Sequence, residues 1–168
     1  TAYPPPLDAA LSRSFEVKDA NGQLLRAFAT TDGRWRLKTT ANDVDPQFLK
    51  MLVAYEDQRF WQHAGIDPWA LMRAGWQLVS NGRIVSGAST LSMQVARLIE
   101  PRTDRSFSAK FLQAARAVQI ERRLVKAEIL DLYLNLAPYG GNLEGVRAAS
   151  LAWFGKEPKR LSTAEAAL

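Results

Sequence analysis

Two adjacent carboxylates, Glu56 and Asp57, head the run Tyr55-Glu56-Asp57-Gln58-Arg59-Phe60-Trp61-Gln62-His63-Ala64-Gly65-Ile66-Asp67. The residues before them, Phe48 to Ala54, read as a helix on which Leu49, Leu52 and Val53 form an apolar stripe at i, i+3 and i+4. Glu56 takes the i+7 place on that stripe, where another apolar residue is expected. A carboxylate there is costly unless something uses it. Seated partly out of water, it is suited to proton transfer near neutral pH. Consecutive helical residues diverge by ~100°, so Glu56 and Asp57 cannot point the same way. Glu56 is read as facing a cleft, with Asp57 flanking it and orienting the loop beyond. The plainer reading is a structural Glu paired with an Arg. His63, the sole histidine, is read as bracing that loop rather than acting as a base.

A second constellation is Gly87-Ala88-Ser89-Thr90-Leu91-Ser92-Met93-Gln94-Val95-Ala96-Arg97. Small residues at a helix start leave backbone N–H groups and a positive dipole end free for an anion. Thr90, Gln94 and Arg97 recur at helical spacing and predict one polar face, on which the Arg fork suits a phosphate. The plainer alternative is a Ser N-cap and an amphipathic helix. A third, Arg102-Thr103-Asp104-Arg105-Ser106-Phe107-Ser108-Ala109-Lys110, concentrates cations and hydroxyls suited to a phosphate-rich ligand, or simply to a solvated surface. In a fourth, Ile129, Leu132, Tyr133 and Leu136 make a clean core stripe, with Asn135 near the helix end capping it or facing a cleft.

These groups need a scaffold. Tyr3-Pro4-Pro5-Pro6 is a stiff, extended lead-in, and Phe15–Lys18 and Gln23–Phe28 bracket an Asn21-Gly22 turn, predicting a hairpin with positive φ at both turn residues. Residues 33–39 are a candidate third strand. From Asp45 onward the pattern is helical: 68–82, 87–100, a long helix from Ser106 or Ser108 to Val125, 126–135 (separate or continuous with the last), 142–154, and a final one from Ser162. The fold class is mainly α, with residues 1–44 a lead-in and hairpin pedestal and 45–168 a helical lobe.

The 168 residues are 47 % apolar and carry a net charge of +5, enough for one packed domain and favourable to an anionic partner. The absence of Cys excludes disulfides and thiolate chemistry, and one His excludes a multi-His metal site. No apolar run approaches the ~20 residues that span a bilayer. The chain starts without Met and stops at Glu165-Ala166-Ala167-Leu168 in a helical pattern, which reads as a piece truncated at its C-terminus. Trp61, Trp69 and Trp76 cluster with Leu71, Met72 and Leu78, as core or as a surface at a lipid interface. No zinc-finger spacing or RNA-binding aromatic signature is present, so no nucleic acid is expected as a partner.

In order and spacing, Glu56-Asp57-x-x-Phe60-x-x-His63-x-Gly65-x-Asp67, Gly87-x-Ser89-Thr90-x-x-x-Gln94, Arg105-Ser106-Phe107, Lys126-x-Glu128-Ile129-Leu130-x-x-Tyr133-Leu134-Asn135, and Ala148-Ala149 with Phe154-Gly155-Lys156 together resemble the peptidoglycan glycosyltransferase domain, glycosyltransferase family 51. That domain is found in class A penicillin-binding proteins and monofunctional transglycosylases. The resemblance covers roughly Asp45 to Leu168, and the run 136–145 is similar to the 1C subgroup. It implies a lysozyme-like fold and an enzyme polymerising lipid II into β-1,4-linked glycan strands, with Glu56 as catalytic base and undecaprenyl pyrophosphate leaving with inversion. It implies a substrate-binding set of Ser89, Thr90, Gln94, Arg97, Arg105, Lys110 and Asn135, supported by Asp57, His63 and Gln113. The implied partners are lipid II, the growing glycan strand, the bacterial membrane surface and moenomycin-type inhibitors. The implied location is the periplasmic face of the inner membrane, with any anchor outside this sequence. Some members use a divalent cation, Mg or Mn, whose ligands nothing here identifies; no other cofactor is expected. Gln113 stands where the family commonly has a second acidic residue, Ala109 where it has Arg, and Arg97 where many members have Lys. The amide at 113 gives the alternative of a weakly active or inactive lipid-linked-glycan-binding module.

Overall fold

The computed structural model describes residues 4–7, 12–81, 89–101 and 106–168. Its lobe is mainly α, as the periodicity predicts. The hairpin pairs β1 (Phe15–Lys18) with β2 (Leu24–Phe28), antiparallel, with Phe15 opposite Phe28 and a bulge at Val17/Lys18. Its turn differs in detail from the expectation. Gly22 alone takes positive φ, at 80°, while the Asp19 carboxylate accepts from the backbone N–H groups of Asn21 and Gln23 at 2.9 and 2.8 Å. A side-chain acceptor thus replaces one of the two left-handed residues.

The candidate third strand is real but short and joins a different partner. β3 (Trp35–Arg36) runs parallel to β4 (Leu143–Glu144), the latter inside a segment expected to be helical. Arg34 and Arg36 both donate to the Glu144 carboxylate, which locks this pairing. Positive φ at Gly140, Gly141 and Gly145 stops a helix from beginning at Asn142.

Helix α1 (Pro46–Glu56) starts with Pro at its first position, and the Asp45 carboxylate accepts from the N–H groups of Gln47 and Phe48. α2 spans Pro68–Asn81 and α3 Leu91–Ile99. α3 is capped by Thr90 and so begins later than the predicted Gly87, which lies with Ala88 outside the described residues. α4 (Phe107–Glu121) and α5 (Lys126–Leu136) are separate helices, because Glu128 turns back to accept from the Val125 N–H at 2.8 Å and so caps a new start. α6 (Val146–Phe154) ends at left-handed Gly155, and α7 (Thr163–Ala167) opens with a Ser162/Glu165 capping box. Among the described residues no helix is long and apolar enough to cross a membrane.

α3 packs on α4 and α5, and their shared core holds Leu91, Val95, Ile120, Ile129 and Leu134 with almost no exposure. Burying each such side chain stabilises the fold by about 1.5–3 kcal/mol, so this three-helix contact is the rigid frame. α1 packs its Leu49, Leu52 and Val53 stripe on that frame and touches α7 on another side. Arg147 on α6 ties the pedestal to the lobe: it forks to Glu157 at 2.7 and 2.8 Å and to Glu16 of β1 at 2.8 and 2.9 Å.

Candidate functional site

Glu56 is the last residue of α1, half-buried, on the wall of an open cavity of about 810 Å³. Gln94, one turn into α3, donates from Nε2 to Glu56 Oε2 at 2.7 Å, which leaves Oε1 without a hydrogen-bond partner among the described residues. Arg97, three residues further on the same face, is exposed and lines the same cavity. Apolar walls come from Phe48, Met51 and Leu52 of α1, and Tyr133 and Tyr139 close another side. Burial, then the charge on Glu56, pushes the Tyr133 phenol up to about 12, with Arg97 acting oppositely. Burial also raises Tyr139, reinforced by Tyr133 and Glu56. The cavity thus joins a held carboxylate, a cation and two neutral phenols on a greasy surface.

Behind Glu56 lies a second, buried layer. Asp57 is 7 % exposed and points away from the cavity. It accepts from His63 Nε2 at 2.9 Å and from the Leu91 backbone N–H at 2.9 Å. His63 Nδ1 accepts in turn from the Gly65 N–H at 3.2 Å, which assigns the ring proton to Nε2. Gly65, at φ +97°, brings its backbone against that of Ala117 on α4; a Cβ there would sit 2.8 Å from the Ala117 carbonyl carbon. This close approach puts the Gly65 carbonyl where the Thr90 hydroxyl donates to it at 2.6 Å.

The expected anion site at the start of α3 is therefore taken by the protein itself. The first N–H of the helix meets the Asp57 carboxylate, and the Met93 N–H meets the Thr90 hydroxyl. Thr90 is 2 % exposed with its hydroxyl engaged, so it is a buried cap and not a cleft residue. Asn135 is likewise corrected: at 6 % exposure it accepts from the Thr39 N–H at 3.0 Å and donates to the carbonyls of Thr39 and Asp131. It pins residue 39 to α5, with no reach into the cavity. Ser89, Lys110 and Gln113 do not line the cavity either. Ser89 is half-buried ahead of the cap, Lys110 is exposed and Gln113 is half-buried on α4. Arg105 lies outside the described residues. The structure brings Glu56, Gln94 and Arg97 together, with Asp57 and His63 behind. Tyr133 and Tyr139 were missed as cavity residues because the core stripe accounts for Tyr133 fully and Tyr139 follows a Pro in a loop. A phenol on a core stripe beside a polar helix was the available signal.

The sequence profile described as Transglycosylase matches residues 21–168. The chain belongs to the transglycosylase family. It is 50 % identical to penicillin-binding protein 1C of Escherichia coli over 88 % of this chain and 19 % of that protein. It is 43 % identical to penicillin-binding protein 1A of Pseudomonas aeruginosa over 75 % of this chain and 15 % of that protein. It is 32 % identical to penicillin-binding protein 1F of Bacillus subtilis over 94 % of this chain and 22 % of that protein. The chain thus spans about a fifth of the length of these relatives, and the family match starts within the hairpin turn.

Proposed function

We propose that the chain is a peptidoglycan glycosyltransferase that polymerises lipid II into β-1,4-linked glycan, with Glu56 as general base. The observation that carries this reading is the Gln94–Glu56 hydrogen bond on the cavity wall, within one polar face that also presents Arg97. Gln94 holds one carboxylate oxygen and leaves the other to accept the proton from the 4-hydroxyl of the acceptor sugar. The freed oxygen attacks the anomeric carbon of the growing strand, and the bond to undecaprenyl pyrophosphate breaks with inversion. Arg97 neutralises the departing diphosphate, a charge its planar fork suits. Asp57 and His63 support the base from behind by fixing the loop to α3.

Mg beside a diphosphate is commonly held by one or two carboxylates together with phosphate oxygens and waters. Among the described residues no group of three or more His, Asp or Glu is gathered, and Glu56 is the side-chain carboxylate on the cavity wall. A divalent cation would therefore rest chiefly on the diphosphate of the substrate, where it would neutralise charge.

The stripe Trp69, Met72, Trp76 and Val79 on α2 is largely exposed, at 61–84 %, and suits contact with a lipid surface. This supports work at a membrane surface, where lipid-linked substrate is held; the surface proposed is the periplasmic face of the inner membrane. Moenomycin-type inhibitors would compete for the same cavity. Glu56→Gln should abolish polymerisation of labelled lipid II while substrate binding persists. Full activity in that variant would refute the base role. Gln113, an uncharged amide on α4, supports a second reading, a binding module with little turnover. A robust wild-type rate dismisses it.

A further inference from the structure

Tyr133 stands on the α5 stripe that the sequence assigns to the core, and its ring does pack there, 7 % exposed in the cluster with Leu130 and Leu134. Its hydroxyl is different. Among the described residues it has no hydrogen-bond partner, and Tyr133 forms part of the wall that also carries Glu56, Gln94 and Arg97. The hydroxyl is not among the atoms sealed from solvent, so its partner is supplied from outside the protein, as water or as a ligand oxygen. Here the cavity is the place from which one can come. The group is also fixed in its protonated form: burial and the neighbouring carboxylate hold it at about 12. It is therefore a standing donor at any working pH, aimed at whatever occupies the space beside the base. Gln94 spends one of its two amide N–H donors on Glu56, so Tyr133 adds a second, separate donor on this wall.

We propose that Tyr133 is a substrate-contacting residue, its hydroxyl donating to an oxygen of the sugar bound between Glu56 and Arg97 and so fixing that sugar for proton transfer. The proposal rests on the glycosyltransferase reading and adds a contact to it. Tyr133→Phe removes one oxygen and keeps the packed ring. Loss of one neutral hydrogen bond predicts a fall of about tenfold in kcat/KM on labelled lipid II. A short-chain lipid II analogue titrated calorimetrically should lose affinity by a similar factor. The melting temperature should stay level or rise slightly, because no internal bond is lost. If wild type polymerises or binds and the variant matches it in both assays, the Tyr133 contact is wrong and the base assignment stands. A fall in activity matched by a fall in melting temperature also overturns it, since that is a packing effect. A wild type that neither polymerises nor binds the analogue overturns this contact and the underlying reading together.

Discussion

Asp57→Asn is the sharpest test of the buried layer. Two donors converge on that carboxylate, His63 Nε2 and the Leu91 N–H, each at 2.9 Å. The Asn side chain keeps the shape but offers one acceptor oxygen. Both 2.9 Å contacts fall on Oδ2, and Oδ1 also lies 3.0 Å from Nε2; with the amide oxygen at the Oδ2 place, the new NH₂ takes the Oδ1 place and faces the Nε2–H, donor against donor. The imidazole cannot escape by moving its proton to Nδ1, because Nδ1 already accepts from Gly65. The Oδ1 contact turns repulsive and the bonds on Oδ2 lose their charge assistance, together worth about 1.5–3 kcal/mol. The anion at the start of α3 is lost as well, worth about 0.3–1 kcal/mol. The expected destabilisation is about 2–4 kcal/mol, from a total that for most domains is about 5–15. For a domain of this length that lowers the melting temperature by about 4–16 °C in a thermal scan at neutral pH. Glycan polymerisation should fall too, since the loop that follows Glu56 loosens. A variant melting within about 2 °C of wild type would refute the account of Asp57 as the anion that closes the α3 terminus.

Gly65→Ala should cost at least about 2 kcal/mol, read by urea denaturation, because a Cβ at φ +97° adds backbone strain to a contact at 2.8 Å. An unchanged midpoint would show that the loop does not press on α4 as described. Arg147→Met should cost about 2–4 kcal/mol, less than a fully buried pair, because the Glu157 side chain is 42 % exposed. The pH dependence has a definite sign. Burial raises the Glu16 carboxyl, but hydrogen bonds from Arg147 and Lys18 outweigh it and leave the group below its ordinary 4.5. Glu165, hydrogen-bonded to Lys156 and Ser162, is lowered to about 2. A lowered carboxyl adds stability above its unfolded value and loses it as pH falls through the folded one. Melting temperature should therefore decline between pH 4.5 and about 2. The decline should be shallower in Arg147→Met, whose Glu16 has lost its main partner.

The helices were legible where local rules act alone. Asp45-Pro46, Pro68, Ser106 and Ser162 mark starts that the structure keeps, and the Leu49-Leu52-Val53 stripe turns to the core as its spacing demands. Glu56 was legible as a carboxylate out of place on that stripe. Which polar groups meet it was not. Thr90, Gln94 and Arg97 have the same helical spacing, yet Thr90 is sealed inside while the other two face the cavity. The reason is that Asp57 and Gly65, from a distant loop, claim the start of α3. Asn135 was ambiguous for the same reason: its partner at Thr39 is 96 residues away. Periodicity and capping depend on neighbours within a turn or two, so the chain states them directly. The direction a polar side chain faces depends on which remote backbone groups lack a partner, and only the packed fold supplies those.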